Sequence, residues 1–407
     1  MAGRGGNAGA QAVSRALRVL SISTLYPNDL SPGFGIFVER QMQALVVRGD
    51  VEVEMWNPIG LPPWPLSQHP RYCHLRGLAA EESRGAITVF RPRFRLFPGI
   101  GGRFNAAAIA RAVLAQVRAR HDARAYDLVD AQFFFPDGPA AALVAKALGL
   151  PLSITARGSD IHLWGAKSHA QPQMLLAADQ AAGMVAVSQA LKQDMAALGM
   201  AADKISVRYT GLDHALFRVQ PRAEARAAVS DIVSADGPLI VTVGNLIPLK
   251  GQNLVIEALA SFPEAQLVLA GKGPEEASLR TLAKRLGVAD RVHLPGSIAP
   301  ARLAQLLSAA NAMVLPSERE GLANAWVEAL ACGTPLVITD VGGAREVVKD
   351  PSAGRIVERK AEAIISAVRE LLANPPAQAE VAAHAARYSW DGNAAEMSSF
   401  FHRIAGK

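Results

Sequence analysis

"EREGLANAWVEALACGTP", residues 318–335, sets two carboxylates, Glu320 and Glu328, at either end of a largely uncharged segment, with seven residues between them. A helix begins inside the stretch. Asn324 is a favoured N-cap type, "AWVEALA" is apolar enough to bury, Gly333 suits the position past the last turn, and Pro335 cannot continue the helix. Glu328 therefore falls on the first turns, and Glu320 on the loop before them. Between the two, the helix N-terminus offers unpaired N–H groups and a positive dipole end, which together attract phosphate. The plainer alternative is a solvated loop glutamate and a second glutamate that complements the helix dipole. The fragment alone does not separate these readings.

Working outward, strand-like apolar runs alternate with helical ones along the whole chain. The first half carries "LRVLSIST", "VEVEMW", "AITVFRP", "DLVDAQF", "PLSITA", "GMVAVS" and "KISVRY". The second restarts with "PLIVTVG", "QLVLAG", "RVHLPG", "AMVLPS", "PLVITD" and "GRIVE". Alternation with continuously hydrophobic strands implies parallel sheets covered on both faces. The expected fold is α/β, two Rossmann-like doubly wound domains facing a cleft, with ligands outside the carboxyl ends of the strands. Residues 1–16 read as a disordered lead-in, 17–213 as the first domain, 214–237 as a linker, 238–387 as the second domain, and 388–407 as a terminal helix.

Composition agrees with two domains, because 407 residues exceed what one hydrophobic core usually serves. No run of about 18 apolar residues is present to span a bilayer. The opening "MAGRGGNAGAQAVSRA" lacks the apolar core of a signal peptide. Cys73 and Cys332, the only two cysteines, have no motif spacing and read as reduced, buried thiols of a cytoplasmic protein. A net charge of +6 favours an acidic partner without naming it.

Strand ends of the second domain collect ligand-binding residue types. "VTVGNLIPLKG" puts Gly244 and Asn245 at one tip and Lys250 in the loop beyond, where an ammonium can reach a diphosphate; a solvated lysine is the alternative. "LVLAGKGPE" ends in Gly271 and Gly273, "VHLPGSI" in Pro295, Gly296 and Ser297, and "MVLPSEREGLAN" in Ser317 and the opening stretch. Four consecutive strands thus finish on one rim. No G-x-G-x-x-G follows a strand, and G-x-x-x-x-G-K-[ST] is absent, so neither a dinucleotide-linked dehydrogenase nor a P-loop ATPase is supported. Neither D-x-D nor a His/Cys cluster of metal spacing occurs, so no metal and no cofactor are expected.

In order and spacing, "VGNLIPLKG … LAGKGPE … VHLPGSI … LPSEREGLANAWVEALACGTPLVITDVGGAREVV" resembles the donor domain of the retaining family-4 glycosyltransferases of GT-B fold, its E-x7-E element included. The first domain is similar more loosely, through "SPGFGIFVERQMQAL" and "PDGPAAALVAKALGLPLSITARGSDI". The terminal "YSWDGNAAEMSSFFHRIAG" resembles the helix that crosses back onto that domain. The resemblance is strongest to bacterial surface-polysaccharide enzymes. It implies a nucleotide-sugar donor, UDP preferred to GDP, and a glycan or polyprenyl-diphosphate-linked acceptor. Glu328 would accept hydrogen bonds from the ribose, and Glu320 from the transferred sugar, with Gly321, Leu322 and Ala323 supplying N–H groups and Asn324 opening the helix. Lys250 would stabilise the leaving diphosphate beside Gly244, Asn245 and Gly271. Gly296, Ser297 and Ile298 would hold the base. Gly35 would approach the phosphates, while Gly33 and Asp160 would lie on the acceptor side.

Two positions depart from the family pattern. Asn245 stands where arginine is usual, so one cation on the diphosphate is missing. Arg157 stands where histidine is frequent, and is the candidate replacement cation; an Arg157–Asp160 surface pair is the alternative. Catalysis would then fall to Lys250, Glu320 and Arg157 in a same-face substitution without metal. A catalytically weak scaffold that binds nucleotide sugars, or a nucleotide-sugar epimerase on the same fold, are the rival functions. Residues 71–124 carry eleven arginines against Glu81, Glu82 and Asp122, with Phe90, Phe94, Phe97 and Phe104 interleaved. With no nucleic-acid fold signature beside them, they are read as a surface for anionic lipid at the inner face of the cytoplasmic membrane, the alternative being an ordinary solvated face.

Overall fold

Every apolar run quoted above becomes a strand in the computed structural model, which describes residues 15–99, 101–234 and 236–407. The first domain's strands are β1 Leu17–Ile22, β2 Val51–Trp56, β3 Ile59–Leu61, β4 Glu81–Arg84, β5 Ile87–Phe90, β6 Arg93–Arg95, β7 Leu128–Ala131, β8 Leu152–Ala156, β9 Gly183–Ala186 and β10 Ile205–Val207. Eight form one sheet in the order β10-β9-β8-β7-β1-β2-β5-β4, and β3 pairs with β6. Only β4 runs antiparallel, along β5 at the edge. It and the pair β3–β6 escape a sequence reading because EESR and RFR are mainly charged and IGL is broken by glycine, so none forms an apolar run. The second domain holds β11 Leu239–Val243, β12 Gln266–Ala270, β13 Val292–Gly296, β14 Ala312–Leu315, β15 Leu336–Thr339 and β16 Gly354–Val357. They form an all-parallel sheet, β13-β12-β11-β14-β15-β16, so every carboxyl end meets the same rim.

Successive strand side chains point to opposite faces, and the core divides accordingly. Leu17 and Val19 pack with Val38 and Met42 on one face of the first sheet, while Leu20 and Ile22 enter the core on the other. In the second sheet Leu267 and Leu269 separate from Val268 and Ala270 in the same way. The helix Trp390–Ile404 lies on the first domain, burying Met397, Phe400 and Phe401 against Val38 and Met42.

The stretch 214–237 is not a loose tether. It contains the helix Arg222–Ala228 and buries Phe217, Val229 and Val233. Arg226 donates to the carbonyls of Ser234, Asp236 and Gly237. Of the N-terminal lead-in, residues 1–14 lie outside the described residues; Arg15 pairs with Asp127 at 2.9 Å. Cys332 is buried as expected, but Cys73 is exposed. No described helix is long and apolar enough to cross a membrane.

Candidate active site

At the rim of the second sheet, β14 ends in a loop that folds back on itself. Ser317, fully buried, donates from Oγ to Glu320 Oε1 at 2.7 Å, and its own carbonyl is held by Thr339 Oγ1. Lys250 closes the single turn Pro248–Lys250 after β11 and reaches the same oxygen, Nζ to Oε1, at 2.5 Å. The two loops are tied by Glu318 N–H on the Leu249 carbonyl (2.7 Å) and by Arg359, which donates to the carbonyls of Pro316 and Pro248. An ammonium keeps two further donors when one is spent, so Lys250 remains able to meet an anion while it orients Glu320.

The helix that follows runs Asn324–Ala331. Its N-cap is Ala323 rather than Asn324, and no side chain caps it. Asn324 is instead the first helical residue and lines the cleft with Ala323 and Ala325, leaving the uncapped first turn facing open space. Gly333 takes the left-handed conformation (φ 78°) that ends this helix.

Across the cleft stands Arg157, just past β8. Its guanidinium lies over the Phe37 ring at 5.2 Å, and Nη2 donates to Gln41 Oε1 at 2.5 Å and to Gln132 Oε1. Burial lowers its pKa to about 10, against the pull of Asp160 and Asp130, so it is charged at neutral pH. The expected alternative, a surface pair with Asp160, does not form. Asp160 is fully buried and accepts from the backbone N–H groups of Phe134, Arg157, Gly158 and Ile161. It cannot face an acceptor; it shapes the loop that carries Arg157.

Two adjoining recesses, of about 370 and 460 Å³, share Phe37, Arg157, Asn245, Lys250, Glu320 and Leu322. The first also takes in Gly244 and Asn324, and the second Gly321 together with Leu25, Phe133, His162 and Leu163. Thus Lys250, Glu320 and Arg157, which lie far apart in sequence, meet in one place. Gly33, Gly35, Gly271, Gly296, Ser297, Ile298 and Glu328 do not line either recess. Gly271 and Gly296 meet at neighbouring strand ends, where the Gly271 N–H donates to the Gly296 carbonyl at 2.9 Å. Gly35 begins the helix Ile36–Val47 at φ 71°, and a Cβ there would fall 2.5 Å from the Leu25 carbonyl carbon, so no other residue fits. Glu328 is partly exposed, yet its carboxyl is surrounded by protein. Burial raises its pKa to about 7, with Arg40 of the first domain opposing.

Sequence reading missed Gln41, Gln132 and Phe37. The available signal was Gln132 itself, a polar residue inside the apolar "DLVDAQFFF". The arginine-rich stretch also needs correction. Arg91 is buried, pairing with Glu82 at 2.7 Å and donating to the Pro27 carbonyl, and Arg93 donates to the Leu78 carbonyl. Arg84 pairs with Glu39 and Glu82, Arg120 with Glu54, and Arg124 with Glu52. Phe90 and Phe94 belong to the core. What remains outward is Arg71 and Arg76 after β3, Arg95 at the end of β6 and Arg103 just before the helix Asn105–Ala123, beside exposed Trp64, Phe97 and Phe104, with Arg111 and Arg118 exposed along that helix.

Comparison with known proteins gives this geometry a context. Residues 41–216 match the family described as Glycosyltransferase Family 4, and residues 230–388 match Glycosyl transferases group 1. A protein of Bacillus subtilis named for teichuronic acid biosynthesis, a glycosyltransferase, is 29% identical over 360 residues, covering 86% of this chain and 88% of its own. The D-inositol 3-phosphate glycosyltransferase of Mycobacterium leprae is 34% identical over 217 residues, half of each chain. Among solved structures, sucrose-phosphate synthase from Thermosynechococcus elongatus superposes with a TM-score of 0.75 at 21% identity, over 96% of this chain and 99% of that one. Anabaena HepE in complex with UDP gives 0.72 at 20% identity, over 95% and 100%. With the two family matches falling in turn on the first sheet and the second, the chain belongs to the family-4 glycosyltransferases, built on the two-domain GT-B fold.

Proposed function

We propose that this glycosyltransferase transfers a hexosyl group with retention, and without a metal ion, from a UDP-sugar to a glycan or polyprenyl-diphosphate-linked acceptor in surface-polysaccharide synthesis. The observation that carries the reading is the meeting of Lys250, Glu320 and the uncapped helix start at Asn324 with Arg157 of the other domain in one cleft. In this reading the donor diphosphate lies against the Lys250 ammonium, the Arg157 guanidinium and the N–H groups that open the helix. Asn245, in place of a second cation on its own domain, leaves Arg157 to provide that charge from across the cleft. Glu320, oriented by Ser317 and Lys250, accepts hydrogen bonds from the sugar hydroxyls, and Glu328 from the ribose.

The acceptor oxygen attacks the anomeric carbon from the face that the phosphate leaves. The bond from that carbon to the phosphate oxygen breaks with its electron pair going to the phosphate. The acceptor proton passes to a phosphate oxygen, and UDP departs. Such chemistry needs positioning and charge stabilisation more than a protein nucleophile. One neighbour in fold, Anabaena HepE, solved with UDP and with UDP-glucose, supports the choice of base, and the teichuronic-acid relative supports a surface-polysaccharide role. We place the enzyme in the cytoplasm, with Arg71, Arg76, Arg95 and Arg103 resting on the inner leaflet.

Purified protein is to be incubated with UDP-sugars in EDTA, with UDP release followed and the new linkage read by proton NMR. Release of UDP and an unchanged anomeric configuration are expected. Loss of activity in EDTA with rescue by Mn²⁺ would overturn metal independence. A failure of every UDP-sugar and GDP-sugar to raise the melting temperature would overturn the donor assignment.

A further inference from the structure

Arg157 is a half-buried cation without an acid. No carboxylate oxygen of the described residues comes within 4.0 Å of its side-chain nitrogens. The two nearby carboxylates are committed elsewhere. Asp160 is spent on backbone N–H groups, and Asp130 accepts from Ser21 Oγ at 2.9 Å and Gln132 Nε2 at 2.6 Å. The guanidinium is held by three oxygens that are all neutral: Gln41 Oε1, Gln132 Oε1 and, at 3.3 Å from Nε, the Gln132 carbonyl. Nη1 makes no hydrogen bond to the described residues, and Arg157 lines both recesses. Gln41 is itself fixed from behind: its Nε2 donates to Asn393 Oδ1 at 2.9 Å, and Asn393 Nδ2 donates to the Tyr209 carbonyl at 2.7 Å. Gln41 and Gln132 are 2% and 0% exposed, and Asn393 5%, so this chain from the terminal helix to Arg157 is closed to water.

A carboxylate in place of either buried glutamine would be the stronger partner for the guanidinium, because a hydrogen bond between two charged groups is stronger than one to a neutral amide. It would also cancel the charge. We infer that Gln41 and Gln132 are positioning residues whose neutral amide oxygens aim the Arg157 guanidinium into the cleft without neutralising it, reserving its charge for a donor oxyanion. Asn393 of the terminal helix holds Gln41 in that role. The inference rests on the proposed contact of Arg157 with the diphosphate.

Gln41→Glu keeps the shape and the oxygen that meets Arg157 and adds the charge, but gives up the amide donor to Asn393; Gln41→Leu loses that donor as well and is the control for it. Calorimetric titration of UDP and of uridine, with GDP and guanosine in parallel, is to be run on the native protein, Gln41→Glu, Gln41→Leu and Arg157→Leu. We expect Gln41→Glu and Arg157→Leu each to weaken UDP by about ten- to a hundredfold, the scale of one hydrogen bond to a charged group, with uridine affinity unchanged. Gln41→Leu leaves the cation in place and should cost less than Gln41→Glu. On an Arg157→Leu background, Gln41→Glu should add no further loss. Native UDP affinity in Gln41→Glu, with affinity lost in Arg157→Leu, would overturn the role of Gln41 alone. Native affinity in Arg157→Leu would overturn the diphosphate contact and this inference with it. Asn393→Ala, which frees Gln41 without adding charge, keeps the test if Gln41→Glu does not fold: UDP affinity should fall with uridine affinity unchanged, and native UDP affinity would overturn the role of Gln41.

Discussion

Gly158 of the first domain and Gly321 of the second touch backbone to backbone. A Cβ built on Gly158 would stand 2.9 Å from both Cα and N of Gly321, and one on Gly321 would stand 2.7 Å from the Arg157 carbonyl oxygen. Gly158 also adopts φ +114°, a conformation that side chains disfavour. This contact brings the Arg157 loop beside Glu320. A second contact supports it: Glu346 accepts from the N–H groups of Gln189 and Ala190, at 3.0 and 3.2 Å, and from Tyr209 Oη at 2.7 Å.

Gly321→Ala should therefore hold the cleft open, because the atom it meets is backbone and cannot swing aside. We expect a larger radius of gyration in solution scattering and at least about a tenfold fall in kcat, on the scale that small misplacements of reacting groups produce. A variant with native dimensions and native turnover would show that closure tolerates the extra methyl group.

Lys250→Ala removes a leaving-group cation and releases Glu320 from its 2.5 Å partner. Turnover should fall about 10²–10³-fold, as when a charge-stabilising donor is lost. Rapid-quench measurement of the transfer step is the direct check. Near-native transfer would assign the leaving group to Arg157 alone.

Glu328 should give the protein a pH signature. Its folded pKa of about 7 lies above the ordinary value of 4.5, so the folded state holds a proton that the unfolded chain has released. The associated stability is fully present below about 4.5 and is lost as pH rises through about 7. Glu328→Gln should flatten the melting temperature across that window. If the ionised carboxylate accepts from the ribose, UDP affinity should rise with pH through the same range in the native protein, and not in Glu328→Gln. Parallel slopes in the two proteins would remove Glu328 from donor binding.

The outward arginines of the first domain give a membrane prediction that the buried ones do not. Vesicles containing anionic lipid should bind the protein at low salt and release it as salt shortens the screening length from about 10 Å at 0.1 M. Replacing Arg71, Arg76, Arg95 and Arg103 by serine should abolish binding, since each contributes roughly 1 kcal/mol near such a surface. Arg91→Ser would instead destabilise the fold, because it empties a buried site, leaves the Pro27 carbonyl without its donor and leaves Glu82 only its longer pair with Arg84 at 3.3 Å. Co-sedimentation unaffected by lipid charge would exclude this docking mode.

What the sequence determined by itself is whatever a local period or a strand terminus encodes. Alternating apolar runs specified every strand of the two large sheets except the edge strand β4, since burial on two faces demands continuous hydrophobicity. The parallel order then carried Gly244, Lys250 and Glu320 to one rim, so the second-domain half of the cleft was legible before any coordinates. The first-domain half was not. Asp160 follows Arg157 by three positions and reads as an acceptor-side residue or, in the alternative, as the ion partner of Arg157, yet backbone amides take the carboxylate and glutamine oxygens take the guanidinium. Arg91 lies among exposed-looking arginines but occupies the interior. Gln41 and Asn393 bond across 352 positions of chain, a pairing no local pattern marks. Hydropathy reports which residues leave water; which polar group then meets which is decided only when the packed chain must satisfy every donor and acceptor it has buried.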